Sequence, residues 1–221
     1  MSLVERRNPR RCLDFRFSCA SIWRVFNDLL LSRRSNPIKM SIREKAQIMT
    51  ATEMERALNR LAHEIVERHR GTKNLALIGI RRRGVPLAER LAKTILDFEK
   101  VRIPVGYLDI NLYRDDLSTV SMQPVIQSTE IHFPIANISI VLVDDVLYTG
   151  RTVRAAMDAL LDYGRPKTIQ LCVLIDRGHR ELPIEANYIG KFVQTTDNEI
   201  IEVKLTEIDQ QEGVMLVEKL E

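Results

Sequence analysis

The chain has 221 residues, 45% of them hydrophobic and 29% charged, which is enough to bury a substantial core in one domain. No apolar run approaches membrane-spanning length, so a soluble globular protein is expected. The net charge of +3 is uneven: residues 1–39 hold nine Lys/Arg against three Asp/Glu, leaving 24 basic and 27 acidic residues in 40–221, so only a localised patch could argue for nucleic-acid binding.

Residues 1–39 carry paired arginines, Pro9, Pro37 and a short amphipathic stretch from Ser21 to Leu31. This composition suits a basic non-core extension: a targeting peptide, a basic arm, or sequence upstream of a start at Met40. The folded domain is expected over 40–221. Cys12, Cys19 and Cys172 show no metal-ligand spacing, and a reducing cytoplasm is the expected compartment.

Thr50-Ala-Thr-Glu53 is a capping box, and Ala57, Leu58, Leu61 and Ile65 mark one face of the helix that follows, ending near Gly71. Asn74 to Ile80 is a short apolar strand running into Arg81-Arg82-Arg83-Gly84-Val85-Pro86. Pro86 suits a first helical turn, and Leu87, Leu91, Ala92 and Ile95 share a helical face. Three arginines after a buried strand make an anion site with more charge than a monophosphate needs, and pyrophosphate fits it. Val101 to Ile110 predicts another strand. The stretch from 111 to about 134 has no helical period and is expected to be a flexible loop or hairpin that closes over a ligand.

Ile140 to Val143 fit a buried parallel strand, and Val153, Ala156, Met157 and Leu160 fit a helix with one core-facing side. Between them lies Asp144-Asp145-Val146-Leu147-Tyr148-Thr149-Gly150-Arg151-Thr152. Such a strand-to-helix turn offers backbone N–H groups and a helix N-terminus to a phosphate. The adjacent carboxylates would repel a phosphate but can accept from sugar hydroxyls or help hold a hydrated Mg²⁺. A ribose 5-phosphate satisfies both halves. Ile169 to Ile175 supplies a further strand, ending in Asp176-Arg177-Gly178-His179-Arg180. There Asp176 is a candidate metal ligand, and Arg177 or His179 a contact to a base or phosphate. Glu199–Lys204 and Gly213–Glu218 look like late strands closing one side of the sheet.

The acid pair and its turn resemble the 5-phosphoribosyl-1-pyrophosphate (PRPP) motif of type I phosphoribosyltransferases. With Gly79–Ala88, Leu108–Leu117 and Val173–Pro183 added, the chain closely resembles the PyrR family of pyrimidine operon regulators and uracil phosphoribosyltransferases over roughly residues 43–218. The resemblance implies an α/β fold of the type I phosphoribosyltransferase kind: a central, mostly parallel sheet flanked by helices, with a small hood. It implies conversion of uracil and PRPP to UMP and pyrophosphate with Mg²⁺, in a homodimer or higher oligomer, and UMP-dependent binding to pyrimidine leader mRNA. The implied catalytic residues are Asp144, Asp145 and Arg114. Arg81, Arg82, Arg83, Gly84, Tyr113, Arg177, His179 and the run from Asp144 through Thr152 would bind PRPP or UMP. Arg60, His63, Arg68, Arg180 and Lys191 match the family's RNA-binding positions. Two positions depart: Asn59 replaces a common threonine, and Glu185 stands where better-known regulators carry arginine. Competing expectations are a purine-base phosphoribosyltransferase and an RNA-binding UMP sensor with little activity.

Overall fold

A computed structural model describes residues 41–110 and 129–220. The basic extension, Tyr113, Arg114 and most of the expected closing loop lie outside the described residues.

The chain begins with β1 (Ser41–Met49), followed by α1 (Ala51–His69). Thr50 caps α1 as expected: its hydroxyl accepts from the Glu53 N–H (3.3 Å), while the Glu53 carboxylate accepts from the Thr50 N–H (2.8 Å). The helix ends at Arg70, in a left-handed conformation just before Gly71. Then follow β2 (Leu75–Ile80), α2 (Gly84–Glu99), β3 (Val105–Leu108), β4 (Ser139–Leu147), α3 (Arg151–Asp162), β5 (Thr168–Asp176) and β6 (Tyr188–Phe192). The chain closes with β7 (Glu199–Lys204), a one-turn α4 (Thr206–Asp209) and β8 (Gly213–Leu220).

Five strands pair in parallel in the order β3-β2-β4-β5-β6. The strands have no polar face because alternate residues enter two different cores. Val141 and Val143 pack with Leu61 and Ile65 of α1 and Leu87 and Leu91 of α2, while Ile140 and Leu142 pack with Ala156 and Leu160 of α3. A strand covered by helices on both faces is expected to be a continuous apolar run.

The last strands depart from the sequence expectation. Rather than closing the main sheet, β7 and β8 form a separate antiparallel sheet with β1, in the order β1-β8-β7. Ile201, Val203 and Val214 of this sheet join the core that contains α1 and α2. This small sheet and α4, whose Asp209 pairs with Arg83 after β2, are termed the hood. The strand expected from Val101 to Ile110 is shorter, and Tyr107 makes one antiparallel bridge to Glu130. No helix among the described residues is long and apolar enough to cross a membrane.

Candidate active site

Three loops follow the C-terminal ends of adjacent parallel strands: 81–83 after β2, 148–150 after β4 and 177–187 after β5. Parallel pairing of these strands puts their carboxyl ends side by side, where ligands of open α/β sheets bind.

The 148–150 turn joins β4 to α3. Gly150 has φ +92° and occupies the cap position of α3 without a side-chain cap; the Arg151 N–H makes a long bond to the Thr149 hydroxyl (3.4 Å), and a helix N-terminus of this kind suits an anion. Val146, Leu147, Tyr148, Thr149, Gly150, Arg151, Thr152, Val153 and Glu181 line a pocket of about 240 Å³. All of the expected phosphate-loop residues are therefore brought together. Asp144 and Asp145 stand immediately before it, at the end of β4. Asp144 is buried, and its Oδ1 accepts from the Asp145 N–H at 3.0 Å; Asp145 Oδ1 accepts from the Val146 N–H at 2.9 Å. Burial pushes the Asp145 carboxyl above the ordinary carboxylate value, opposed by the hydrogen bonds around it and by the charge of Arg83.

The arginine loop is pressed onto the acid pair by glycines. A Cβ on Gly84 would lie 2.2 Å from the Val143 carbonyl oxygen, and one on Gly79 would lie 2.6 Å from the Gly84 oxygen. Only a bare backbone lets the start of α2 seat against the end of β4. Arg81 pairs with Glu130 at 2.7 Å and lies over the Tyr107 ring, while Arg83 pairs with Asp209 of α4 at 2.9 Å. Arg82 is exposed. Glu130 and Asp209 were not anticipated from sequence: each reaches its arginine from a distant segment, with no local motif to mark it. Arg81, Arg82, Val85, Pro86, Glu89, Glu207 and Ile208 line a cleft of about 360 Å³ between this loop and the hood.

On the third loop, Arg177 is buried; its Nε donates to the Thr195 hydroxyl (3.0 Å), and its guanidinium lies 4.1 Å from the centre of the Tyr148 ring. His179 donates through Nε2 to the Thr195 carbonyl (2.6 Å) and meets Tyr148 edge-on. Both residues thus lie between Tyr148 and the Thr195 segment. Asp176, the candidate metal ligand, is held within the protein. Its Oδ1 accepts from the Gly178 N–H (3.0 Å) and its Oδ2 from Arg180 (2.5 Å), so both oxygens are engaged within the protein. Mg²⁺ fits better at Asp144 and Asp145, where burial disfavours an uncompensated anion. Such an ion takes one or two carboxylates and completes its shell with water and substrate oxygens.

The basic residues expected to face RNA separate into two groups. Arg60 donates to the carbonyls of Ile189 (3.0 Å) and Gly190 (2.7 Å), Arg68 donates to that of Asn187 (3.1 Å), and Lys191 donates to that of Ile48 (2.8 Å). Together they run along the edge of β6, and all three are exposed. His63 stacks on Phe98 with ring centres 4.0 Å apart. Arg180 instead turns inward to Asp176, the Tyr148 and Gly178 carbonyls and the Ile184 carbonyl.

Residues 45–208 match the model of the phosphoribosyl transferase domain. The chain is 62% identical over 179 residues to a "Bifunctional protein PyrR" from Pelotomaculum thermopropionicum, covering 81% of this chain and 99% of that protein. Its identity to the protein of that name from Thermus aquaticus is 57%, covering 80% of this chain and 98% of the relative. A hypoxanthine-guanine phosphoribosyltransferase from Bacillus anthracis superposes with a TM-score of 0.60 at 17% identity, covering 80% of this chain and 99% of that one. A hypoxanthine phosphoribosyltransferase of Trypanosoma cruzi gives 0.61, also at 17% identity, covering 80% and 98%. At that identity the likeness concerns the fold alone.

Proposed function

The chain belongs to the PyrR family of phosphoribosyltransferases, and on that premise we propose that it forms UMP and pyrophosphate from uracil and PRPP and uses UMP to tune its binding to pyrimidine leader RNA. The observation that carries the enzyme reading is the placement of an acid pair and a phosphate-sized turn at the end of β4, with an arginine loop seated against them at the end of β2.

The 5-phosphate lies on the N–H groups and hydroxyls of Tyr148 through Thr152. Asp144 and Asp145 accept from the ribosyl hydroxyls, and Arg81 to Arg83 take the pyrophosphate. A uracil nitrogen attacks the anomeric carbon as the bond to pyrophosphate breaks, so positive character grows on the ribosyl ring while negative charge gathers on the leaving group. The carboxylates stabilise the first and the arginines the second, more strongly in the transition state than in the ground state. To receive the pyrophosphate, Arg81 and Arg83 exchange Glu130 and Asp209 for phosphate oxygens. Asp144 and Asp145 would help hold Mg²⁺, which would supply charge neutralisation for the departing pyrophosphate. No covalent nucleophile is needed, and Arg114 and Tyr113 belong to the segment expected to cover the site.

Identity above 50% to the PyrR proteins along nearly their whole length supports uracil over a purine as the incoming base. The RNA function draws support from the word "Bifunctional" in the relatives' names and from the cationic edge formed by Arg60, Arg68 and Lys191. A homo-oligomer is expected on the same grounds and is checked by light scattering. The deciding experiment supplies PRPP and Mg²⁺ with uracil, hypoxanthine, guanine or adenine and measures the nucleotide formed. Turnover on uracil at least about 100-fold above the purines is expected, a ratio within reach of a site that hydrogen-bonds its base. Preference for a purine would overturn the assignment. No turnover, combined with UMP-dependent leader binding, would leave a nucleotide-sensing regulator.

A further inference from the structure

We propose that Arg180 is a positioning residue for the phosphate loop, orienting the peptide N–H groups that receive the 5-phosphate; the inference rests on the ribose-phosphate reading of that loop. In a trans peptide the C=O and N–H point in opposite directions. Whatever holds the carbonyls of 148–150 from behind therefore aims the following N–H groups forward.

The segment after β5 does this. Arg180 Nη1 donates to the Tyr148 carbonyl at 2.8 Å, and the N–H groups of Glu181 and Leu182 donate to the Thr149 carbonyl at 3.0 and 3.2 Å. The two peptides so held are Tyr148–Thr149 and Thr149–Gly150, and their N–H groups belong to Thr149 and Gly150. Arg180 is in turn fixed by Asp176 Oδ2 at 2.5 Å and by the carbonyls of Gly178 and Ile184, both at 3.0 Å. A planar guanidinium can serve a carboxylate and several carbonyls at once, which an ammonium on a flexible stem does not reproduce. The Arg151–Glu181 ion pair at 2.7 Å adds a second tie between the same segment and the first residue of α3. Asp176 is then the support of a support: it orients the guanidinium, which orients the loop.

The role is specific to one end of the substrate, so the test compares ligands of the two ends. Arg180→Met and Asp176→Asn are made in the full chain, their melting temperatures recorded, and UMP and pyrophosphate titrated separately by calorimetry. UMP affinity is expected to fall by about tenfold or more in Arg180→Met, the scale of one lost hydrogen bond to a charged group. Pyrophosphate affinity should stay within about twofold, because its arginines lie on another loop. Asp176→Asn should weaken UMP in the same direction but less. Unchanged UMP affinity in both variants, or equal losses of UMP and pyrophosphate, overturns the proposal. Should Arg180→Met fail to fold, Asp176→Asn decides alone. A wild-type chain that binds both ligands but makes no UMP from uracil defeats the enzyme reading, and the binding comparison still judges Arg180.

Discussion

The carboxyl of Asp145 meets two opposed demands. Binding a ribosyl hydroxyl and stabilising positive ring character call for an anion, yet burial raises its pKa above the ordinary range despite the charge of Arg83 nearby. A carboxyl whose folded-state pKa is raised contributes its stability below its unfolded value and loses it as pH rises through the folded value. At neutral pH the ionised group therefore opposes folding. Asp145→Asn is expected to depress kcat by about 100-fold or more, on the scale of lost transition-state stabilisation, while melting above the wild type. That thermal advantage should shrink as pH falls into the range where the wild-type carboxyl protonates. Steady-state kinetics with calorimetry across pH checks both parts; near-normal turnover would remove Asp145 from the mechanism. The acid pair was legible because it is contiguous and ends an apolar run. Glu130 and Asp209 were not, because each meets its arginine only after the chain has folded.

At the scale of elements, the helix and strand periods placed most of the main sheet and its helices, since each buries a continuous apolar face. The capping box at Thr50 located the start of α1 for the same reason: its partners are three residues apart. The hood was harder. β1, with sequence SIREKAQIM, is largely polar and exposed, and it becomes a strand by pairing with β8 at the other end of the chain. Between the arginine loop and β4 the decisive feature is a contact rather than a period. Gly84→Ala would drive a methyl to 2.2 Å from the Val143 oxygen. The overpacking should cost about 1–3 kcal/mol, lowering the melting temperature by about 2–4 °C for each kcal/mol. Displacement of the loop should also raise the KM for PRPP, and a variant with wild-type melting and KM would show that the backbone yields more easily than this packing implies.

Over the whole molecule the charge balance conceals its arrangement. Residues 40–221 are net acidic, yet Arg60, Arg68 and Lys191 gather along the β6 edge, the surface on which the proposed RNA binding is to be tested. Glu185 follows Ile184, whose carbonyl holds Arg180, and comes two residues before Asn187, whose carbonyl holds Arg68. Glu185→Arg, a change of two charge units, is expected to strengthen leader-hairpin binding severalfold and steepen its logarithmic salt dependence by about 1. Filter binding over a range of KCl concentrations with UMP present is the measurement; no change in slope would place Glu185 outside the RNA path. Contiguous motifs by themselves determined the sheet's main strands and the places of the acid pair, the 148–150 turn and the arginine loop at strand ends, because a strand end and the turn after it stay together in sequence. Only the tertiary structure decided that β7 and β8 leave the main sheet, that Asp176 pairs with Arg180, and that Arg180 reaches the Tyr148 carbonyl. Those outcomes depend on hydrogen bonds between separate segments, which no local pattern records.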